Sequence, residues 1–292
     1  MNTRLSSERA LVLGGGGSAG NAWLIGVIAG LSDAGLDLTG ADLLVGTSAG
    51  STAAAQISSA PPSELFATIL ATALPARPGP VGSVADQLAR MARIVAAAED
   101  AADMRRRIGA AALALDGMSD GVEQERWRAV VAGRLPSQEW PRQTILITAV
   151  DAQTGEPVVF DRDSGVDLVD AIAASCSNGF GVPPYRIGKR RYIDGGYRRN
   201  ENADLATGCR RVLVLSPFGG KTRHPLDWGM QLSAQVDELR AAGSLVETIS
   251  PDRNAEHLFG ANAMDPSTRP PAAQAGYDQG SALAEQLTEF WC

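Results

Sequence analysis

Residues 46–50 read Gly-Thr-Ser-Ala-Gly, the G-x-S-x-G spacing of a nucleophile elbow, and the chemistry explains those residue types. A serine at a sharp strand-to-helix turn is held in strained backbone geometry, and small neighbours let the turn close. Its hydroxyl then stands clear of the sheet, and the start of the following helix favours negative charge beside it. Ser48 is the candidate nucleophile, with Gly46 and Gly50 shaping its turn. Residues 14–20 read Gly-Gly-Gly-Gly-Ser-Ala-Gly. Consecutive N–H groups without side chains in the way make a cradle for an anion, above all at a helix start. Gly15, Gly17 and Gly20 match the G-x-G-x-x-G dinucleotide fingerprint, but that motif wants an acidic residue at the end of the second strand, and Asp42 precedes that strand. A P-loop would need Lys-Ser/Thr where Asn21-Ala22 stand. The remaining functional reading is an oxyanion hole built from the N–H groups of Gly15, Gly16 and Gly17, worth about 3–4 kcal/mol per donor. The alternative is purely structural: glycines that let a helix pack tightly on a strand.

A serine nucleophile needs a base. The chain has two histidines, His224 beside Pro225 and His257 among Asn254, Glu256 and Asn262, and neither follows a strand that would aim it at a site. The order Ser48, Asp194, His257 is formally that of an α/β-hydrolase triad, although in that fold several strands come before the nucleophile and here only two do. The other choice is a carboxylate. Asp194-Gly195-Gly196 falls at a hairpin end, where two glycines permit an aspartate close to another backbone. An aspartate of ordinary pKa, about 3.9, is a poor base, and burial raises it towards a useful value. D-G-G is also a common turn.

The elements that must position these residues follow from periodicity. Short apolar runs closed by glycine, at 10–13 and 42–45, read as buried strands of a parallel sheet. Leu24, Val27, Ile28 and Leu31 recur at helical spacing, with Gly35 as a stop, and 48–57 is a small-residue helix. Strand, glycine turn, helix, strand, tight turn and helix begin a βαβ protein. Residues 61–140 carry helical stripes (Val84, Leu88, Met91, Val95; Met104, Ile108, Leu115) broken by prolines at 61–62 and by the segment 75–82, and read as a helical insertion. Further strands are expected at 144–150, 157–160, 185–187, 191–193, 212–215 and 244–249, and helices at 168–175, 228–242 and 270–290.

Composition bounds the function. The chain has 292 residues, 45% hydrophobic and 20% charged, with 26 Lys+Arg against 33 Asp+Glu and a net charge of −7. That acidic balance argues against nucleic acid, whose binding rests on phosphate neutralisation. No apolar run approaches the ~20 residues that span a bilayer, and the start lacks the apolar stretch of a signal peptide. Cys176, Cys209 and Cys292 form no CxxC pair and read as reduced thiols in a cytoplasmic protein.

Taken together, residues 11–20 (LVLGGGGSAG), 45–51 (VGTSAGS) and 192–196 (YIDGG) resemble the patatin-like phospholipase family in order, spacing and context, and 171–184 (AIAASCSNGFGVPP) looks like the family's segment leading into the aspartate. The resemblance covers roughly 9–205. It implies a patatin-like three-layer α/β sandwich with a mainly parallel central sheet, a single domain over 1–292 with the helical insertion at 61–140 and 206–292 packed on the core. It also implies a serine–aspartate dyad, Ser48 and Asp194, with motif glycines Gly20, Gly46, Gly50, Gly195 and Gly196, acting on lipid acyl esters with no metal or organic cofactor and no histidine. One departure stands out: the family's basic residue before the last glycine of the first motif is here Ala19, which puts a preference for phosphorylated lipids in doubt. The insertion would line an acyl groove or act as a lid, or simply pack on the sheet; Arg105-Arg106-Arg107 would touch anionic headgroups in peripheral contact with a membrane, or be a solvated face; Trp23 would flank the pocket or pack in the core. Two rivals to hydrolysis remain, a silent lipid- or partner-binding protein and a nucleotide binder.

Overall fold

The computed structural model describes residues 7–72, 84–116, 121–222 and 224–292. The segment 75–82 and the side chains of Val84 and Leu88 lie outside the described residues. In chain order the strands are β1 (Ser7–Leu13), β2 (Leu43–Gly46), β3 (Thr144–Asp151), β4 (Pro157–Phe160), β5 (Tyr185–Ile187), β6 (Arg190–Asp194), β7 (Cys209–Leu215) and β8 (Leu245–Ile249). The helices are α1 (Gly17–Asp33), α2 (Ala49–Ile57), α3 (Pro62–Ala71), α4 (Val84–Ala97), α5 (Ala101–Asp116), α6 (Val122–Ala132), α7 (Leu168–Ser175), α8 (Leu232–Ala241) and α9 (Arg269–Trp291).

The strands join in the order β5-β6-β3-β2-β1-β7-β8, with β4 also on β3. The four pairings from β3 through β8 are parallel, and the remaining three are antiparallel. Continuous apolar runs fit this arrangement because both sheet faces are covered. Side chains alternate between the faces. Leu11, Leu13, Leu44 and Leu213 join one core with α1, α2, α7 and α9, while Ala10, Val12, Val45 and Val212 join another with α8. Three layers result: helices, sheet, helices.

Register brings two distant segments together. Ile147 of β3 pairs Gly46 on one edge and Phe160 on the other. Two residues on, Ala149 pairs Val158 of β4 and Asp194 of β6. A strand has two edges, so β6 lies along the edge that β2 has just left. Asp194 therefore comes in where β2 turns into α2.

Local boundaries differ from the periodicity in two places. Helix α1 begins at Gly17, not after Gly20, because the Ala19 N–H finds its acceptor on Ala263 O at 2.9 Å, a tertiary partner that no local pattern reveals. The helix expected over 228–242 begins only at Leu232. A short turn, Leu226–Trp228, precedes it and is closed by Gly229 at φ 63°, a left-handed conformation that interrupts a helix.

Candidate active site

The carboxyl ends of β1 and β2 meet at Leu13 and Gly46, which are register partners. The chain leaves β2 through Thr47, whose N–H donates to Leu13 O at 3.1 Å. Ser48 follows at φ 53°, ψ −116°, one of two non-glycine residues with positive φ among those described. The glycines around it are obligatory: a Cβ on Gly50 would lie 1.9 Å from Leu13 O and one on Gly46 2.5 Å from Ser51 Cα.

One segment holds both Ser48 and Asp194. The Ser48 N–H donates to Ser175 Oγ at 2.9 Å, and the Asp194 N–H donates to Ser177 O at 2.8 Å. The Asp194 carboxylate accepts from the Gly196 N–H at 2.8 Å. Burial pushes this carboxyl up to about 6, while hydrogen bonding from the Ser48 hydroxyl and the Gly196 N–H opposes the shift. Gly195 must lack a side chain, since its Cβ would meet Thr148 Oγ1 at 2.2 Å.

The glycine cradle is divided in its use. The Gly15 N–H donates to Asn200 O at 3.1 Å, so this donor is taken, which corrects its expected availability to a ligand. Among the described residues the N–H groups of Gly16 and Gly17 have no protein acceptor, and both residues line the same cleft as Ser48 and Asp194. Gly17 has φ 64°. A Cβ on Gly16 would strike Pro217 Cβ at 2.5 Å, and one on Gly20 would press on it at 3.1 Å. The cradle glycines thus serve close packing as well as donor exposure.

A buried polar cluster, unread in the sequence, braces the elbow. Asn202, fully buried at φ 55°, donates from Nδ2 to Thr47 Oγ1 at 2.9 Å, Thr148 Oγ1 at 3.2 Å and Gly195 O at 3.2 Å. It ties the turn before Ser48 to the turn after Asp194. Behind the cradle, buried Glu201 accepts from Ser216 Oγ at 2.7 Å and Asn200 Nδ2 at 2.9 Å, and burial raises its pKa. The only sequence signal for these residues was Asn200-Glu201-Asn202 soon after the D-G-G turn.

The cleft has a volume of about 1460 Å³. Its apolar wall includes Ile25 of α1, Leu65 and Ile69 of α3, Trp127 of α6, and Phe218 and Phe259. His224 lines it too, with its Nδ1 3.0 Å from Thr222 Oγ1 and its ring stacked on Trp228 at 6.2 Å. His257 is not among the lining residues. Trp23 is fully buried and donates to Gln279 Oε1 at 3.2 Å, so it packs in the core. Arg105 donates to Gly155 O at 2.8 Å, while Arg106 and Arg107 pair with Asp103. Among the described residues no helix is long and apolar enough to cross a membrane, and no cluster of His, Cys, Asp and Glu could hold a metal ion.

No curated protein matches the chain. Among solved structures, VipD from Legionella pneumophila is 14% identical with a TM-score of 0.46, over 96% of this chain and 67% of that one. The type III effector protein ExoU is 18% identical with a TM-score of 0.43 over 96% of this chain, which spans about half of ExoU's length, 53%. The family model for patatin-like phospholipases matches residues 11–207, a span that holds the cradle, the elbow and Asp194 and makes up more than half of the 292 residues. The chain belongs to the patatin-like phospholipase family.

Proposed function

We propose that the protein hydrolyses acyl esters of lipids through a dyad of Ser48 and Asp194. The observation that carries this reading is the strained Ser48 facing the carboxyl of Asp194, with no histidine bonded to either among the described residues. Ser48 Oγ attacks the ester carbonyl as its proton passes to Asp194. The oxyanion of the tetrahedral intermediate takes hydrogen bonds from the free N–H groups of Gly16 and Gly17. The intermediate collapses, the C–O bond to the alcohol breaks, and Asp194 returns the proton to the leaving oxygen. Water then adds to the acyl–Ser48 ester as Asp194 takes its proton; the second tetrahedral intermediate collapses, the acyl C–Oγ bond breaks, Asp194 returns the proton to Ser48 Oγ, and the carboxylic acid leaves. A carboxylate held near about 6 by burial is mostly ionised at pH 7, yet basic enough to accept a proton. Family membership and the apolar wall from α3 and α6 support an acyl chain as the occupant of the cleft.

Turnover of p-nitrophenyl butyrate and of a short-chain phospholipid should be lost in Ser48→Ala, and a fluorophosphonate should label Ser48 in the wild type. Equal turnover by Ser48→Ala would remove the reading. His257, the histidine of the triad alternative, does not line the cleft, whereas His224 does; a dead His224→Ala with an active Asp194→Asn would replace the dyad with a histidine base.

A further inference from the structure

The cleft holds two arginines without counter-charges. Arg269, the first residue of α9, donates to Ser18 O at 3.0 Å, Ser18 Oγ at 3.4 Å and Asn21 Oδ1 at 3.2 Å. Arg134 follows α6 and lies over the Trp127 ring at 5.3 Å. Both line the same cleft as Ser48, and neither forms an ion pair among the described residues. Among the described residues the other cleft cation, Lys221, is paired with Glu256 at 3.5 Å, and the remaining cleft carboxylates are Asp194 and Glu64.

A buried relay ties the Arg269 guanidinium to the backbone that carries Arg134. Asn21 accepts from Arg269 and donates to Gln56 Oε1 at 2.9 Å, and Gln56 Nε2 donates to Arg134 O at 2.9 Å. Asn21 and Gln56 are only 6% and 8% exposed. Burial first, and then the Arg134 charge, push Arg269 down to about 10, so it stays protonated at neutral pH while two like charges share one cleft. Holding unpaired cations together in a partly desolvated site is unfavourable, and an anion between them reverses the sign of that interaction. The free N–H groups of Gly16 and Gly17 at the start of α1 add to the same field.

We propose that Arg134 and Arg269 form a subsite for the phosphate group of a glycerophospholipid or lysophospholipid whose acyl ester lies against Ser48. This rests on the acyl-hydrolase reading above. The bidentate forks of guanidinium groups suit a phosphate, and the apolar wall takes the acyl chain on the far side of the ester. Ala19 is fully buried, and the cation absent from that position is supplied from α9, beyond the family-matched span.

The test uses the full chain carrying Ser48→Ala and two uncleavable probes below their micelle concentrations, a dihexyl-ether glycerophosphocholine and the matched neutral diether glycerol. Calorimetry should show the phosphate-bearing ether bound about 10- to 100-fold more tightly, the range expected for hydrogen bonds to a charged group. Arg134→Gln and Arg269→Gln should each remove most of that preference, and Arg269→Lys should retain part of it. In the otherwise wild-type enzyme the same arginine changes should lower the ratio of kcat/KM for a dihexanoyl phospholipid over a neutral ester, mainly through KM. Arg269 joins α9 to α1 and its variant could misfold; Arg134 is exposed and keeps the test decisive. Equal binding of the two ethers, or an unchanged preference in Arg134→Gln, overturns the proposal. So does inorganic phosphate that competes at the arginines while the phospholipid ether gains nothing over the neutral one. Should the wild type fail to cleave any ester while Ser48→Ala still prefers the phosphate-bearing ether, the hydrolase reading fails and the subsite stands.

Discussion

Ser48 occupies a backbone conformation that costs about 1–3 kcal/mol outside glycine, and its neighbours hold it there. Its N–H is bound by Ser175, its C=O accepts from Ser51 Oγ at 2.7 Å, and the residue before it is locked into Asn202 and Thr148. The second cost falls on Asp194, whose folded pKa of about 6 exceeds the ordinary value of 3.8. Between those two values the folded protein binds more protons at this group than the unfolded chain does. This group's contribution to stability is therefore fully present below the unfolded value and is lost as pH rises through the folded one. Asp194→Asn keeps an acceptor for the Gly196 N–H and removes the buried charge. It should raise stability at pH 8 by roughly 1–3 kcal/mol, a Tm increase of several degrees, with turnover lost. Urea melts of both proteins at pH 8 and pH 5 check this, because the difference should shrink at the lower pH. If Asp194 is the base, log kcat/KM should fall with unit slope below about pH 6 in the wild type. The residue types of this candidate pair were legible because a strained elbow and an aspartate set close against another backbone demand small neighbours that leave a sequence trace. The loss of the Gly15 donor to Asn200 O was not, since it depends on a loop nearly two hundred residues away.

Helix α1 carries the cradle at its start, and α9 holds it in place. Gly26 and Gly30 of α1 lie against the α9 backbone, and Gly276 and Gly280 of α9 against that of α1, so closely that a Cβ on Gly26 would lie 2.0 Å from Ala273 O and one on Gly276 2.4 Å from Trp23 O. Each helix therefore presents a G-x-x-x-G stripe to the other's backbone. The trace was present in the sequence as Gly26-Val27-Ile28-Ala29-Gly30 and Gly276-Tyr277-Asp278-Gln279-Gly280, yet glycines four apart in a helix carry meaning only once a partner is known. Strands and helices were readable where burial is two-sided or one-sided over several residues. Their ends were not, because Ala263 O and Gly229, rather than periodicity, decide where α1 and α8 begin. Gly26→Ala should cost about 1–3 kcal/mol through overpacking and lower Tm by several degrees. Gly243→Ala is the control: unlike Gly26, Gly243 sits at positive φ, 96°, but a Cβ there meets nothing within 4 Å, so backbone strain of about 1–2 kcal/mol applies without overpacking. Thermal melts should further show Gly26→Ala weakening binding of the phosphate-bearing ether, because a displaced α9 carries Arg269 with it, whereas Gly243→Ala should not.

Across the whole molecule, the cleft opens where the sheet changes direction: β1 is flanked by β2 on one side and β7 on the other, and the helices that follow β1 and β7, α1 and α8, cover opposite faces. Ligands of open α/β sheets bind at such a switch point, beyond the carboxyl ends of the strands. The strand order depends on long-range pairing, so the sequence order of the motifs reveals their company but not which walls enclose them. Residues after 207 look motif-free in sequence and lie outside the family-matched span, yet they provide β8, Phe259 and Arg269 of the cleft, and α9 over α1. Physical burial makes this part indispensable to the rest: Trp23, Val27 and Leu31 of α1 are fully buried, and the close glycine approaches require a helix of small cross-section on that face. A chain cut after residue 268 would expose that apolar face to water and leave Ser18 O and Asn21 Oδ1 of α1 without Arg269. It should be recovered as aggregate, or as a species with helical far-ultraviolet dichroism but no sharp thermal transition. Adding α9 back as a separate peptide of residues 269–292 should restore solubility in proportion to occupancy. A truncated chain that melts cooperatively at the full-length temperature would mean that the cradle is positioned by the sheet alone, and that α9 supplies nothing to it beyond the arginine.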